Sequence, residues 1–408
     1  MPRMRSVVVS SLGVAAVAGV TGAAVAVVRA ATKDRLALNG IDELDVQVDD
    51  PFTWTPDATM WVTSDDGTRL YAEIDEPAGH QARPTVVFSH GFCLAAGSWI
   101  HQRRALVDAG YRCVLWDQRG HGRSGSGAVE QCTIDQLGRD LARVIEATTP
   151  EGPLVLVGHS MGGMTVMSFG DQFAEEVARR VRAVVFVATS PGGQGLLSLG
   201  FGRVFGGALT RFGPRLLSGI AARPGLWQRT RTIGRDVESL FVQRFSFASP
   251  VSDATVRFCA DMLLSTDLEV VGAFLATFEV HDKNAALDVF ASLPELVVNG
   301  AGDVLTPPEH SAALVAANPA AEHLLIAEAG HLVMLEHPGL VNLHLLGLVD
   351  RVAEAHAATV RAGVTEVADE RRSGLVETVR ARRAKPARRG SVRRRRQTTA
   401  EVASGESV

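Results

Sequence analysis

The sequence predicts an α/β protein whose central sheet is mostly parallel and covered by helices on both faces. Short uncharged runs rich in β-branched residues, such as residues 85–89 and 154–157, are typical of strands buried on both faces. Helical patterns alternate with these runs, which is the order that a parallel sheet with helical crossovers requires. The 408 residues are 46% hydrophobic and 21% charged, so the chain can bury a sizeable core.

The first elements follow in chain order. Residues 60–76 alternate between apolar and polar positions around Asp65-Asp66-Gly67, which predicts a β-hairpin. Further strands are predicted at 85–89, 111–116, 154–157 and 184–188. Helices are predicted between them at 99–109, 133–148 and 161–180, with Thr133 as the N-cap of the second.

The alternation stops after Ser190-Pro191-Gly192-Gly193. Residues 194–285 have helical periodicity and no clear strand pattern, so we expect a helical cap inserted after the sixth strand. Strand patterns return at 295–298 and 323–326, and a final helix is predicted at 332–357. The α/β core is therefore expected to comprise residues 60–193 and 286–357.

The N-terminal region carries a hydrophobic segment. Residues 7–28 contain no charge and are flanked by Arg3, Arg5 and Arg29, and these 22 residues are enough for a helix to span a bilayer. We therefore expect an apolar, membrane-anchoring helix within residues 1–35 and a linker at 36–59. A signal peptide cleaved near Ala24-Val25-Ala26, with secretion of the protein, is an alternative, and so is a buried core helix.

Charge is distributed unevenly along the chain. Residues 371–408 contain 12 Lys and Arg against 3 Asp and Glu, whereas the whole chain has a net charge of −4. Residues 358–408 are therefore predicted to form a basic, disordered tail. No aromatic residue interleaves the four arginines at 393–396, so no nucleic-acid partner is expected. The four cysteines lack C-x-x-C spacing, and no metal site is expected.

One motif indicates nucleophilic catalysis. Gly158-His159-Ser160-Met161-Gly162 matches G-x-S-x-G, and it lies between a strand pattern and a helix pattern, as that motif requires. The turn between the two elements holds the nucleophile in a strained conformation, and small residues must flank it. We therefore predict Ser160 as the nucleophile and Gly158, His159 and Gly162 as parts of the nucleophile elbow.

A serine hydroxyl needs a general base to become nucleophilic at neutral pH. His331 is predicted as that base, because it follows the last strand in a short glycine-containing loop. Asp303 follows the preceding strand in a similar loop and is predicted to orient the imidazole, which completes a Ser…Asp…His order. Glu328 is the alternative acid.

The tetrahedral intermediate of acyl transfer needs two N–H donors. One is predicted to come from Met161, the residue after the nucleophile. The other is predicted to be the backbone N–H of Phe92, in the loop after the strand at 85–89. Because the backbone supplies these donors, the two side chains are expected to form apolar walls of the site.

Five blocks of sequence together resemble the α/β-hydrolase superfamily, within it the esterase/lipase and cofactor-free haloperoxidase-like branch. They lie at residues 90–92, 117–124, 158–163, 302–303 and 330–331, and the resemblance covers about residues 60–352. It implies an eight-stranded, mostly parallel sheet and acyl transfer through an acyl-enzyme, without a metal or organic cofactor. Epoxide hydrolases and haloalkane dehalogenases of this fold use an aspartate nucleophile, so Ser160 argues against both activities.

The expected function is hydrolysis of carboxylic esters by a Ser160–His331–Asp303 triad acting on a small-molecule ester or lipid. Perhydrolysis, or acyl transfer to an acceptor other than water, by the same triad is an alternative. A second alternative belongs to another class: a membrane-tethered, non-catalytic binding protein with the α/β-hydrolase fold. The sequence leaves the acyl chain length and the alcohol portion of the substrate open.

Overall fold

A computed structural model describes residues 51–78, 83–193, 242–243 and 245–383, with side chains described as far as residue 362. The described residues contain an eight-stranded sheet, which lies in the first of two compact units, Met1–Ala355 and His356–Val408. Its strands are β1 (Ala58–Thr63), β2 (Arg69–Asp75), β3 (Thr85–Ser89), β4 (Cys113–Trp116), β5 (Leu154–His159), β6 (Val181–Val187), β7 (Glu295–Gly300) and β8 (Glu322–Ile326).

The strands are ordered β1-β2-β4-β3-β5-β6-β7-β8 across the sheet. β1 pairs antiparallel with β2 and β2 pairs antiparallel with β4, whereas every other pairing is parallel. The expected eight-stranded, mostly parallel sheet is confirmed. Because β3 to β8 run in one direction, the loops after these strands lie along one edge of the sheet, called here the carboxyl edge.

Helices cover the sheet on both faces. The described α-helices, including two in the predicted cap, are α1 (Ile100–Asp108), α2 (Ile134–Thr148), α3 (Met161–Gln172), α4 (Ala174–Arg180), α5 (Asp253–Ser265), α6 (Leu268–Glu279), α7 (Pro308–Ala317), α8 (Val333–Glu336) and α9 (Pro338–Arg383). Successive side chains of β3 point to opposite faces of the sheet. Val86 and Phe88 therefore belong to one apolar cluster and Val87 to another. Every residue of β3 is buried, which explains its uninterrupted apolar sequence.

Two local predictions are confirmed at single residues. The turn between β1 and β2 places Gly67 at φ 86°, a left-handed conformation that glycine adopts without steric cost. Thr133 caps α2, and its hydroxyl accepts the backbone N–H of Gln136 at 3.2 Å.

Among the boundaries that differ from the predictions, three change the description of the fold. The helix predicted at 161–180 is two helices, because the backbone of Phe173 is not helical (φ −130°, ψ 44°). β1 begins at Ala58, inside the predicted linker at 36–59, and the Arg104 guanidinium donates to the carbonyls of Pro51 and Thr53 at 2.6 and 2.7 Å. The linker prediction is therefore wrong for residues 51–59, because the strand pairing of β1 and the contacts of Arg104 fix this part of the chain to the core.

The third difference is at the end of the core. α9 continues to Arg383, so the tail predicted at 358–408 is helical as far as that residue. The segment lacks apolar periodicity, but it is rich in Ala, Arg and Glu, which have high intrinsic helix propensity.

Some predictions lie outside the described residues. These are the apolar segment at 7–28, the linker before residue 51, the cap over 194–241 and the tail beyond 383. Within the described part of residues 194–285, the predicted cap, α5 and α6 are helical, as the periodicity predicts. Across the part of the chain that the structure describes, no helix combines the length and the apolar character needed to cross a bilayer.

Candidate active site

Ser160 occupies the sharp turn between β5 and α3. Its backbone has φ 50° and ψ −117°, a region that side-chain-bearing residues adopt only when the surroundings impose it. The surroundings here are backbone atoms: a Cβ at Gly158 would lie 2.4 Å from the carbonyl oxygen of Gly162, and a Cβ at Gly162 would lie 2.1 Å from that of Ser89. The glycines of the motif are therefore required by close backbone packing.

The Ser160 side chain lies at the N-terminus of the 12-residue helix α3, where the helix dipole favours negative charge. Ser160 is 8% exposed. Among the described residues, the structure records no hydrogen bond from its hydroxyl group, including none to His331. Hydrogen bonds between a nucleophile and its base are commonly loose until substrate binds.

Asp303 and His331 come together at the carboxyl edge. They follow β7 and β8, which are adjacent parallel strands, and His331 Nδ1 lies 2.9 Å from Asp303 Oδ2. Because a carboxylate only accepts, the neutral form of the ring that makes this bond carries its proton on Nδ1 and leaves Nε2 free. That tautomer can accept a proton from a serine hydroxyl. Glu328, the alternative acid, is exposed. The carboxylate that contacts His331 is that of Asp303.

Asp303 is held as a carboxylate by several donors. It accepts the backbone N–H groups of Leu305 and Thr306 at 2.8 and 2.9 Å and the Thr306 hydroxyl at 2.7 Å. Burial alone would raise the pKa of Asp303, but the adjacent His331 and these hydrogen bonds offset that effect and leave the pKa below its usual range. The group is therefore charged at neutral pH.

Thr306 is a site residue that the sequence reasoning missed. It is fully buried, and its hydroxyl oxygen lies 3.2 Å from His331 Nδ1 as well as 2.7 Å from Asp303 Oδ2. An Asp followed three residues later by Thr, just before Pro307, is a turn signal that could have identified it. Thr306 holds the carboxylate oxygen that accepts from the imidazole.

His159 contributes more than its place in the elbow. Its Nε2 donates to the backbone carbonyl of His331 at 3.0 Å, so its Nδ1 is unprotonated, and no described residue bonds that atom. Burial, with a smaller contribution from the neighbouring His331, lowers the pKa of His159 to about 3. A neutral imidazole therefore ties the elbow to the main chain of the predicted base.

Phe92 and Met161, the residues predicted to supply the oxyanion donors, have side chains in one apolar cluster. The partly buried Phe92 packs against a buried group that includes Met161. The backbone before Phe92 is braced by His90. Its Nε2 accepts the N–H of Gln118 at 2.9 Å, and its Nδ1 therefore donates to the carbonyl of Gly91 at 2.7 Å. The Gln118 side chain also donates to the His90 carbonyl and accepts the Thr165 hydroxyl at 2.6 Å.

The block at 117–124 is structural. Asp117 accepts the N–H groups of Ala96 and Arg123, both at 2.8 Å. The buried Arg119 pairs with Asp140 at 2.6 Å and with Asp66 at 2.8 Å, which connects this block to α2 and to the β1–β2 turn. These contacts fix the loop after β4 to neighbouring elements of the core.

Buried neutral histidines make the stability depend on pH. Burial lowers the pKa of His90 and His281 to about 4 and of His121 and His159 to about 3. Because their folded pKa lies below the unfolded value, stability is fully present above that unfolded value and is lost as pH falls towards the folded one. Each can contribute up to about 1.4 kcal/mol per pH unit in that window.

We therefore expect urea denaturation to give a lower free energy of unfolding near about pH 5 than near about pH 7. In His121→Asn, the pH dependence should decrease by about one proton, because Asn does not titrate. An identical pH dependence in the variant and the unmodified protein would contradict this assignment.

A serine on a strained elbow at the carboxyl edge, followed later in the chain by an aspartate after β7 and a histidine after β8, is the arrangement of the α/β-hydrolase fold. The family model for the alpha/beta hydrolase fold matches residues 84–338, and the chain belongs to this family.

Individual relatives match over shorter lengths. The chain is 37% identical over 134 residues to epoxide hydrolase B of Mycobacterium tuberculosis, covering 33% of this chain and 36% of the relative. It is 35% identical over 130 residues to a non-heme chloroperoxidase of Streptomyces lividans, covering 32% and 45%. These matches span less than half of either relative. In structure it resembles a thermophilic esterase from Thermogutta terrifontis (TM-score 0.56, 22% identity), covering 72% of this chain and 99% of that one.

Proposed function

We propose that the protein hydrolyses carboxylic esters through an acyl-enzyme. Ser160 Oγ attacks the acyl carbon while His331 Nε2 takes its proton, and the N–H groups of Phe92 and Met161 hold the oxyanion. The C–O bond to the alcohol then breaks, and His331 returns the proton to the leaving alkoxide. Water deacylates Ser160 by the same steps, with Asp303 orienting the imidazole throughout.

The observation that carries this proposal is the 2.9 Å contact between His331 Nδ1 and Asp303 Oδ2, at the same edge of the sheet as the strained serine. This contact selects the tautomer that a general base for serine needs. Epoxide opening, as in the name of the first relative, is not favoured, because the residue on the elbow is a serine and not an aspartate.

The apolar groups beside Phe92 favour an apolar acyl group. The Phe92 ring contacts Phe278 and Phe274 of α6 edge to face, with centroid distances of 5.1 and 6.2 Å. Both cap residues are buried, and they belong to the same cluster as Met161. A substrate bound to the proposed oxyanion donors would therefore meet aromatic and methionine side chains.

A chain-length series of nitrophenyl esters, with a fluorophosphonate probe for the serine, tests the proposal. We expect labelling of Ser160 and turnover of the esters, and an unlabelled, inactive protein would favour the non-catalytic alternative.

In Phe278→Leu, the preference should shift towards longer acyl chains by about tenfold in relative kcat/KM, the selectivity typical of one or two methylene groups.

The matched control is Phe173→Leu. Phe173 stacks on Phe169 between α3 and α4, with ring centroids 5.4 Å apart, and it is not part of the Phe92 cluster. Its replacement should change stability without changing the chain-length profile. Equal profiles for both variants and the unmodified protein would contradict the role of the α6 aromatic groups.

Product analysis with added peroxide or alcohol separates hydrolysis from perhydrolysis and transfer.

A further inference from the structure

Glu336, at the end of α8, joins two segments that are far apart in sequence. Its Oε1 accepts the backbone N–H of Ala248 at 2.9 Å, and also the N–H and the hydroxyl of Ser249, the latter at 2.7 Å. Its Oε2 accepts the backbone N–H of Gly330 at 2.6 Å. One carboxylate therefore receives four donors, and both of its oxygens are used.

The first of these segments, residues 246–249, lies within the predicted cap. It packs against both loops that carry the acid and the base. A Cβ at Gly302 would lie 2.7 Å from the Ala248 Cβ, and a Cβ at Gly330 would lie 2.7 Å from the carbonyl oxygen of Ser246. The same Ser246 carbonyl accepts the N–H of Leu332 at 2.9 Å. A side chain at Gly302 or at Gly330 would therefore clash with this segment.

We infer that Glu336 is a positioning residue that couples the cap to His331 by fixing both segments through one carboxylate. This inference rests on the proposed function, because it assigns Glu336 a role in placing the proposed base. Gly330 immediately precedes His331, so the Gly330 N–H bond limits the freedom of the backbone that carries the imidazole. Misplacement of a catalytic group by about 1 Å can reduce a rate about 100-fold.

A carboxylate is the group that these donors require. Four donors facing one side chain need two acceptor oxygens, and an amide has a single acceptor. In Glu336→Gln, an NH₂ group must face either the Gly330 N–H or the cap N–H groups, which leaves backbone donors unpaired. The sequence signal is only a Glu five residues after the predicted base, and its partners at 248 and 249 are not visible from the sequence.

The test compares Glu336→Gln with Glu328→Gln. Glu328 is an exposed carboxylate in the same loop, two residues before Gly330. Glu328→Gln therefore makes the same chemical change without removing the hydrogen bonds that Glu336 accepts. For Glu336→Gln we expect kcat to fall roughly 10- to 100-fold with KM within about threefold, and the rate of fluorophosphonate labelling to fall in parallel. Glu328→Gln should match the unmodified protein. Ser249→Ala, which removes one donor of four, should reduce kcat by less than about threefold.

Amide hydrogen exchange provides a readout that does not need catalysis. Glu336→Gln should accelerate exchange in both segments, at 245–250 and at 327–333, whereas Glu328→Gln should accelerate neither. Unchanged exchange, or a lower melting temperature with kcat unchanged, would overturn the inference. If the unmodified protein neither hydrolyses esters nor reacts with the probe, the proposed function fails, and the exchange data still decide whether Glu336 couples the two segments.

Discussion

Replacing Ser160 with alanine is expected to reduce kcat/KM for nitrophenyl esters by on the order of 10⁴-fold or more, the loss typical of removing a triad nucleophile. The change removes the oxygen that is proposed to attack the acyl carbon, and alanine, which is smaller than serine, introduces no clash at the elbow. Fluorophosphonate labelling should be lost in the same variant. Ester hydrolysis and probe labelling, measured on protein of unchanged melting temperature, check both expectations.

The structure offers a demanding control for this experiment. Ser190 follows β6 at the same edge of the sheet and has its own histidine, since its Oγ lies 2.6 Å from Nδ1 of His310. It differs from Ser160 in lacking the strained turn at a helix N-terminus. Ser190→Ala should therefore retain activity within about twofold of the unmodified protein. Loss of activity in Ser190→Ala but not in Ser160→Ala would move the nucleophile to Ser190.

Asp303→Asn is expected to reduce kcat/KM by about 10³- to 10⁴-fold. The Thr306 N–H and the Leu305 N–H can still donate to the amide oxygen. The amide nitrogen, however, presents hydrogens to His331 and favours the tautomer in which Nε2 carries the proton. That nitrogen cannot then accept the proton of Ser160. Steady-state kinetics and the rate of probe labelling measure the effect.

Glu328→Gln is the control for the choice of acid. It removes the carboxylate that is closer to His331 in sequence but exposed in the structure, and it should leave both rates unchanged. Similar losses in Asp303→Asn and Glu328→Gln would contradict the assignment of Asp303. A large loss in Glu328→Gln alone would restore the alternative acid.

Several parts of the fold could be predicted because their signals are local. β3 is bounded at the predicted residues, since a strand buried on both faces leaves a continuous apolar run. The start of β6 was missed: Arg182 interrupts the apolar pattern, and Arg180 is buried by donating to the carbonyls of Gly152 and Thr149, which sequence alone does not indicate. The extension of α9 was missed because helix propensity, not periodicity, accounts for it.

The predicted site residues are brought together to different degrees. Asp303 and His331 are in direct contact, Phe92 and Met161 share one apolar cluster, and Ser160 has the strained backbone that its motif requires. Thr306 and Glu336 were absent from the prediction. The Thr306 hydroxyl donates to Asp303, three residues away in the same loop, so a local turn signal for Thr306 was present in the sequence. The bonds of Glu336 to Ala248 and Ser249 depend on loops that meet only in the folded chain.

The amino-acid sequence by itself determined the order of strands and helices, the glycine-flanked Ser160 and the loops that carry Asp303 and His331. These features follow from short-range requirements: burial of β-branched runs, backbone clashes at a tight turn, and chain order. Only the tertiary structure decided which carboxylate contacts His331, which ring nitrogen of His331 it contacts, and how Glu336 joins residues 248–249 to Gly330. Hydrogen bonds are directional and short, so residues far apart in the chain form them only after the sheet has placed their loops within about 3 Å.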